Sequence, residues 1–446
     1  MKKIIAIIAF FLSCDFIAAQ PQYTLEQVLD AARRNNIAIR NAQHDVSAAQ
    51  QQRKEVFTKY FPSVSATGLW FNANRSMASY TLNPSELLPP SAMAILPQLL
   101  PVDALAALGS PITMSMMKNG TIGSLMAVQP VFAGGQIING NKLAKVGEEV
   151  SQLQLQLSEN EVEKTAHQYF WQMATLQEKM KTLQAAEALL NDIYKDVDVA
   201  VRAGVALRND LLQVQLRLND VASQKLRLQN GLSLVKMLLA QYCGLRDTSF
   251  VLAIAQVDSV EAPLPVTADA ALQGLAEYQL LGKQVEAAHL QQKMAVGKNL
   301  PSLAVGAGYN YHNLLDNDRT FGMVFATVSV PISDWWGGSH AVKRRKIEQQ
   351  KAQEQLEDNS ELLKIRMQNA WNGVEEAYLQ LQLAKQSIEQ ADENLRLHRN
   401  AYAAGTARMS DLLEAQLLCQ QSCDKHTDAY ANYQNKLLEY RQAIGM

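Results

Sequence analysis

The chain is short of charge of either sign, of clustered histidines, of paired cysteines and of any uninterrupted apolar helix long enough to cross a bilayer. Charged residues make up 19% of the 446, below the usual quarter or so of a soluble globular protein. Forty-one Lys and Arg stand against 43 Asp and Glu, so no global basic field exists to hold nucleic acid, and that class of partner is excluded. None of the seven histidines, His44, His167, His289, His312, His340, His398 and His426, lies four residues from another or in a nucleophile motif. They read as ordinary surface side chains, leaving no catalytic constellation, no metal site and no cofactor. Cys419 and Cys423 are spaced i, i+4 with no second Cys or His pair, so with Cys243 they read as small buried hydrophobes and imply no disulfide framework. Gly134-Gly135 and Gly337-Gly338 lack the rest of a phosphate-loop pattern.

The N-terminus has Lys2 and Lys3, an apolar run from Ile4 to Leu12, then Ala18 and Ala19. That is the three-part layout of a secretory signal peptide over residues 1–19, too short for a spanning helix at about 20 residues. Leu12-Ser13-Cys14 offers an alternative, a degenerate lipoprotein site that would leave Cys14 acylated.

The remainder is a repeat. Ala203-Gly204, Asp210-Leu211-Leu212 and Gln215 recur 201 positions later as Ala404-Gly405, Asp411-Leu412-Leu413 and Gln416. Pro130 with its following Gly134-Gly135 recurs as Pro331 with Gly337-Gly338, and Pro62-Ser63 as Pro301-Ser302. Residues 20–265 form the first copy and 266–446 the second. Each copy opens with helix-forming composition, Leu25–Tyr60 and Ala268–Lys298, then switches after Pro-Ser to period-two alternation. Leu303, Val305, Ala307, Tyr309 and Tyr311 interleave with smaller or polar residues, as a strand requires. A second strand follows in each copy, Thr121–Val131 and Phe321–Val330, ending near a Pro and a glycine pair.

Long helices come next, about Asn141–Val201 and Ser339–Tyr402. In the first, Tyr169, Met173, Leu176, Met180, Leu183, Leu190, Tyr194, Val197 and Val201 keep a 4,3 rhythm broken only at Glu187. Beyond Gly204 the rhythm resumes from Leu211 to Leu239, with Lys225 the exception. Each glycine therefore joins two antiparallel helices at a hairpin tip. A long helix of about 60 residues reaches ~90 Å, and two shorter ones stacked end to end match it, as in the wall of a helical tube. Four strands per chain cannot close a membrane barrel, whose smallest members have eight; three chains give twelve, the first count with an open bore. Trp70, Phe71, Tyr309 and Tyr311 at one end, and Trp335 and Trp336 at the other, suit two interfacial girdles. The fold class expected is thus a mixed membrane β-barrel plus a long α-helical coiled-coil barrel.

These duplicated motifs in this order resemble the TolC or outer membrane efflux protein family, over essentially the whole mature chain. The resemblance implies a homotrimer with a twelve-stranded outer membrane barrel in lipid and a periplasmic helical tunnel, docked to a periplasmic adaptor (membrane fusion protein) and an inner membrane pump. It exports small molecules or peptides and is not an enzyme. Gly204 and Gly405 match the adaptor-contacting tips, and Asp411 matches the family's aperture aspartate. Glu414 stands where a second acid usually lies, and Asp210 is the first-copy counterpart of Asp411, while Gln213 replaces any acid opposite Glu414. Asp411 could equally cap its helix. A periplasmic coiled-coil scaffold and a general porin are the alternatives. The segment 72–120, long, apolar and interrupted by six prolines, reads as an outer cap or lid, with Met114, Met116 and Met117 packing inside it. Lys343–Lys346 reads as a solvated face or as a contact to membrane phosphate.

Overall fold

The computed structural model describes residues 21–99, 101–246, 248–253, 262–314, 318–332 and 334–446. The signal-peptide segment 1–19 and Cys14 lie outside the described residues. In chain order the elements are β1 (Gln22–Tyr23), α1 (Leu25–Asn35), α2 (Ile37–Phe57), β2 (Ser63–Asn72), β3 (Ala78–Leu82), α3 (Pro90–Leu99), α4 (Val102–Gly109), β4 (Ile112–Met116), β5 (Asn119–Ala133), α5 (Gln136–Arg202) and α6 (Arg208–Cys243). There follow β6 (Val251–Leu252), α7 (Ala268–Leu272), α8 (Ala276–Lys298), β7 (Ser302–Asn313), β8 (Asp318–Ser329), α9 (Asp334–Ala403) and α10 (Met409–Ala443). They fall into two compact units: Met1–Gln50, Val146–Glu286 and Gln350–Met446 in one, Gln51–Lys145 and Ala287–Gln349 in the other. None of the described helices is long and apolar enough to cross a membrane.

The first unit is helical and its core follows the coiled-coil rhythm. Phe170, Met173, Leu183, Leu190, Ile193 and Val197 of α5 are buried, against Val214, Val221, Val235 and Leu239 of α6. The two charged exceptions to that rhythm find each other, Lys225 Nζ lying 2.7 Å from Glu187 Oε2. A second cluster joins Leu363, Met367, Val374 and Leu381 of α9 to Tyr433 and Tyr440 of α10 and to Leu272 and Leu275.

The helix expected over Leu25–Tyr60 is broken at Asn36, whose backbone is extended at ψ 133°. The break has a use. Asn36 Oδ1 accepts the Ala38 N–H at 2.8 Å, while its Nδ2 donates to the Tyr242 carbonyl at 3.1 Å and Asn35 Nδ2 to the Cys243 carbonyl at 2.9 Å. Two asparagines thereby hold the end of α6, which closes at Gly244 with φ 66°. The surface reading of the histidines also needs correction at His167, which is 5% exposed. Its Nε2 accepts from Trp171 Nε1 at 3.1 Å and its Nδ1 faces Asn435 Oδ1 at 2.9 Å. Burial lowers its pKa and the Asn435 bond partly opposes that, which suits a neutral ring in this arrangement.

The second unit holds one antiparallel four-stranded sheet in the order β2-β5-β7-β8. The expected strands all appear, longer by a few residues, and the segment 72–120 carries regular structure that composition did not reveal: a β3–β4 hairpin pairing Ala78 with Met116 through Leu82 with Ile112, and the helices α3 and α4. In the sheet, Pro130 has no N–H for the ladder, and the register slips between Pro130 and Phe132.

The register separates two chemistries. Val64, Ala66 and Trp70 of β2 share one face with Leu125 and Ala127 of β5, Val305, Ala307 and Tyr309 of β7, and Val324, Ala326 and Val328 of β8. That face is apolar and bare, with Trp70 71% and Val324 86% exposed. The opposite face is mixed: Ser63, Ser65, Thr67, Ser124, Asn310, His312, Arg319 and Thr327 share it with Leu69, Phe71, Ile122, Phe321 and Met323. There Gly306 and Gly308 leave room that the Phe325 ring and the Met126 thioether fill from neighbouring strands.

At one end of the sheet the backbones of Gly134, just after β5, and Gly297, at the end of α8, touch so closely that a Cβ on either would enter the carbonyl of the other. Gly134→Ala and Gly297→Ala should each cost about 1–3 kcal/mol through forced backbone displacement. Gly68→Ala, with nothing within 4 Å of its added carbon, should leave stability unchanged. Thermal melting of detergent-extracted protein checks the contrast; equal loss at all three sites refutes the contact.

Candidate functional site: the paired hairpin tips

Two hairpin tips lie side by side in the helical unit, and each is built by the same local chemistry. After α5, Gly204 takes φ 75°, its N–H donates to Val201 O at 3.0 Å and the Val205 N–H reaches back to Ala200 O at 2.9 Å. After α9, Gly405 takes φ 75°, its N–H donates to Tyr402 O at 2.9 Å and the Thr406 N–H to Ala401 O at 2.9 Å. These paired bonds close a helix over a left-handed residue, a conformation that glycine adopts at low cost. The two helices that follow also start alike. Asp210 Oδ2 accepts the Leu207 N–H at 3.3 Å, and Asp411 Oδ2 accepts the Arg408 N–H at 3.2 Å. Each aspartate thus serves the helix start, but from the third helical position rather than as the N-cap residue weighed for Asp411, the N-caps being Leu207 and Arg408.

Leu412, Met409 and Ala415 form the buried face of α10 here, packed with Ile193, Val197 and Val214 across the two tips. Asp411 is half-buried and Glu414 exposed, one turn apart and off that face. The Arg408 backbone N–H, then the Ser410 hydroxyl, hold the Asp411 carboxyl below its usual pKa. That shift contributes stability above the ordinary value of 3.8, lost as pH falls through the lower folded-state value. Between the tips is a cleft of about 600 Å³ lined by Asp196, Asp210, Arg399, Tyr402 and both tip glycines. Burial, and then the Asp210 charge, raise the Tyr402 phenol above its ordinary pKa.

Further along the same two helices a polar cluster was missed by periodicity alone. Arg217 donates from Nε to Gln416 Oε1 at 3.2 Å and from Nη2 to Gln420 Oε1 at 3.0 Å, and Gln420 Nε2 donates to Gln224 Oε1 at 3.1 Å. Gln416 and Gln420 are buried, and desolvation lowers the Arg217 pKa. The only sequence signal was glutamine at inward positions of an otherwise apolar rhythm. Cys419 and Cys423 are half-buried rather than buried, and Cys419 donates to Asp392 Oδ1 at 3.1 Å, its thiol pushed up to about 12 mainly by desolvation. Cys243 is buried, as expected. Among the described residues no group of three or more His, Cys, Asp or Glu is arranged to hold a metal ion.

Residues 271–446 match the family described as "Outer membrane efflux protein". No match was found among curated proteins. Among solved structures the chain is similar to the CmeC outer membrane channel of Campylobacter jejuni, with TM-score 0.76 and 15% identity over 94% of this chain and 85% of that one. It is also similar to the outer membrane protein VceC of Vibrio cholerae, with TM-score 0.73 and 14% identity over 94% and 96% of the two chains. The MtrE outer membrane channel of Neisseria gonorrhoeae gives TM-score 0.71 and 14% identity over 94% and 88%. At such identities the likeness is one of fold.

The two capping aspartates should act alike when removed. Asp411→Ala should speed hydrogen exchange at Arg408 and in the first turn of α10, and Asp210→Ala at Leu207 and in the first turn of α6. Asn at either position, which keeps a side-chain acceptor, should fall between. Unchanged protection in both alanine variants would remove the capping role.

Proposed function

We propose that the chain is one subunit of an efflux duct of the outer membrane efflux protein family: residues 271–446 match that family, and nearly the whole chain shares the fold of outer membrane channels. The family is one of channels, not of enzymes. One observation carries the reading for this chain: a four-stranded sheet with one bare apolar face, a second face on which most of the polar side chains lie, and two unpaired edges, β2 and β8. Hydrocarbon suits the first face and water the second. An edge in hydrocarbon leaves backbone groups with no partner, so the sheet must close, and four strands are too few. In our reading β8 of one chain pairs with β2 of the next, and three chains give a twelve-stranded barrel. The duplication over residues 20–265 and 266–446 then supplies two strands and one helical hairpin per copy to each third of the duct, with the segment 72–120 as its outer cap.

The tips at Gly204 and Gly405 are, in this reading, the surface that meets a periplasmic adaptor and its inner membrane pump, and Asp411 with Glu414 the acidic lining of the aperture. Cargo is a small molecule or peptide driven by that pump, in a tripartite efflux or type I secretion system. A coiled-coil scaffold has no use for the bare apolar sheet face, and a porin has none for helices of 67 and 70 residues.

Assembly is tested by mass. Purified protein in detergent should weigh close to three chains plus micelle, and planar bilayers should show conductance only from that species; a conducting monomer refutes the closure. Gly405→Val forces a β-branched residue into positive φ. It should leave trimer yield normal while adaptor crosslinking and export fall, and wild-type crosslinking would move the docking surface elsewhere.

Asp411→Ala combined with Glu414→Ala should lower cation selectivity several-fold and abolish block by a trivalent cation added on the helix side, because three-fold symmetry repeats each carboxylate around a narrow axis. Unaltered selectivity and block leave Asp411 as a cap only.

A further inference from the structure

Positive charge is concentrated where the helices meet the sheet. The segments 51–62, 134–145, 287–301 and 331–349 flank the four strands at one end and hold eleven Lys and Arg against three Asp and Glu. The whole chain has 41 against 43, so this belt is a local excess rather than a reflection of composition.

Register and close contacts bring the segments together. Ser63 at the start of β2 lies opposite Val128 of β5, and Ala133 at the end of β5 lies opposite Ser302, itself opposite Ser329. Gly134 touches Gly297, and Asn141 Nδ2 donates to the Val56 carbonyl at 3.3 Å. Lys54, Lys59, Lys298, Lys343, Arg344 and Lys346 are all exposed. Arg344 Nε also lies 3.8 Å from Glu348 Oε1, and the less exposed Arg345 donates to Gln291 Oε1 at 2.8 Å and Glu348 Oε2 at 2.6 Å.

Bare aromatic rings are interleaved with these cations. Phe57, Phe61 and Trp336 are 52%, 56% and 82% exposed, and the Phe57 ring meets Tyr60 and Phe61 edge-on at 5.4 and 5.7 Å. Aromatic rings settle at the boundary between hydrocarbon and headgroups. Lys54 lies three residues from Phe57, Lys59 between Phe57 and Phe61, and Lys343 to Lys346 two to three helical turns beyond Trp336, so their long stems can run along apolar surface and present charge to phosphate. Trp336, Lys343 and Ile347 are spaced seven and four residues apart and so share one face of α9, with Ile347 64% exposed. An aqueous bore has no use for a bare Trp and Ile beside a cation; a lipid interface accommodates all three.

We propose that this belt binds the phosphate headgroups of anionic phospholipid in the leaflet that faces the helices, Arg344 through its two-pronged guanidinium and the lysines as point charges. The proposal rests on the reading that the sheet crosses the outer membrane, and adds a lipid preference to it. It is tested on the full-length trimer in detergent by native mass spectrometry and thermal melting, with added phosphatidylglycerol, phosphatidylcholine or inorganic phosphate.

Wild type should retain phosphatidylglycerol several-fold over phosphatidylcholine, and melt higher with it than with the same concentration of free phosphate. The variants K54Q/K59Q/K298Q and K343Q/R344Q/K346Q should each lose most of that preference, while K343R/K346R keeps it. Equal retention of the two lipids by wild type overturns the proposal, as does full retention of the preference in both triple variants. An equal effect of inorganic phosphate overturns the lipid source. If the triple variants change ion selectivity in planar bilayers but not lipid preference, the belt lines the bore and the proposal fails. Conductance by wild-type trimers in those same bilayers keeps the duct reading standing even then.

Discussion

An unpaired strand edge is tolerable in water and not in hydrocarbon, and the sheet β2-β5-β7-β8 has two of them. Most features of the second unit answer to that constraint. The apolar face needs a solvent other than water, because Val64, Trp70, Leu125, Tyr309 and Val324 are left bare together. On the opposite face Gly306 and Gly308 leave room that the Phe325 ring and the Met126 thioether fill. On the reading that this sheet enters a membrane, a strand number that cannot close alone would make association part of folding rather than a later event.

In the helical unit the corresponding constraint is register. Long apolar seams can slide by a heptad at small cost, and charged or amide groups at inward positions make most such slides expensive by leaving buried polar atoms without partners. Glu187 and Lys225 interrupt the same seam from opposite sides and meet at 2.7 Å. Arg217, Gln416, Gln420 and Gln224 do the equivalent between the two hairpins. Half-exposed ion pairs of the first kind contribute little net stability. Their effect is to select one alignment among several that pack equally well.

Local signals and tertiary ones separated cleanly in the sequence. Period-two alternation after each Pro-Ser located one sheet strand per copy, the Pro and glycine pairs marked the ends of the other two, and the two glycines located both tips, because those features depend on a residue's own backbone preference and its immediate neighbours. Asn36 was hidden for the opposite reason. Composition around it favours helix, and the break exists because Asn35 and Asn36 reach carbonyls of Tyr242 and Cys243 some 200 residues away. His167 was hidden in part likewise, since besides Trp171 one turn along its own helix it meets Asn435 of α10. The hairpin and helices within 72–120 were obscured by six prolines, several of which the structure puts at or next to helix starts, where a missing N–H costs nothing. Phe57 and Tyr60 fall within the helix expected over Leu25–Tyr60, and composition gave no sign that their rings cluster with Phe61 at its end.

At the tips the duplicated halves are alike in backbone and unlike in charge, and that difference tells which acid is there for the fold. Asp210 and Asp411 accept the same N-cap bond, so an aspartate at either position is explained by helix initiation alone. Its presence therefore carries no independent weight for an acidic aperture. Three residues on, the first copy has Gln213 and the second Glu414. Glu414 is exposed and has no hydrogen bond or ion pair among the described residues, so helix start and packing alike leave it without a structural task. If one hairpin of each chain supplies charge to a shared axis, the second is the one equipped for it, and Glu414, rather than the capping Asp411, is the residue whose neutralisation separates an aperture from a well-capped helix.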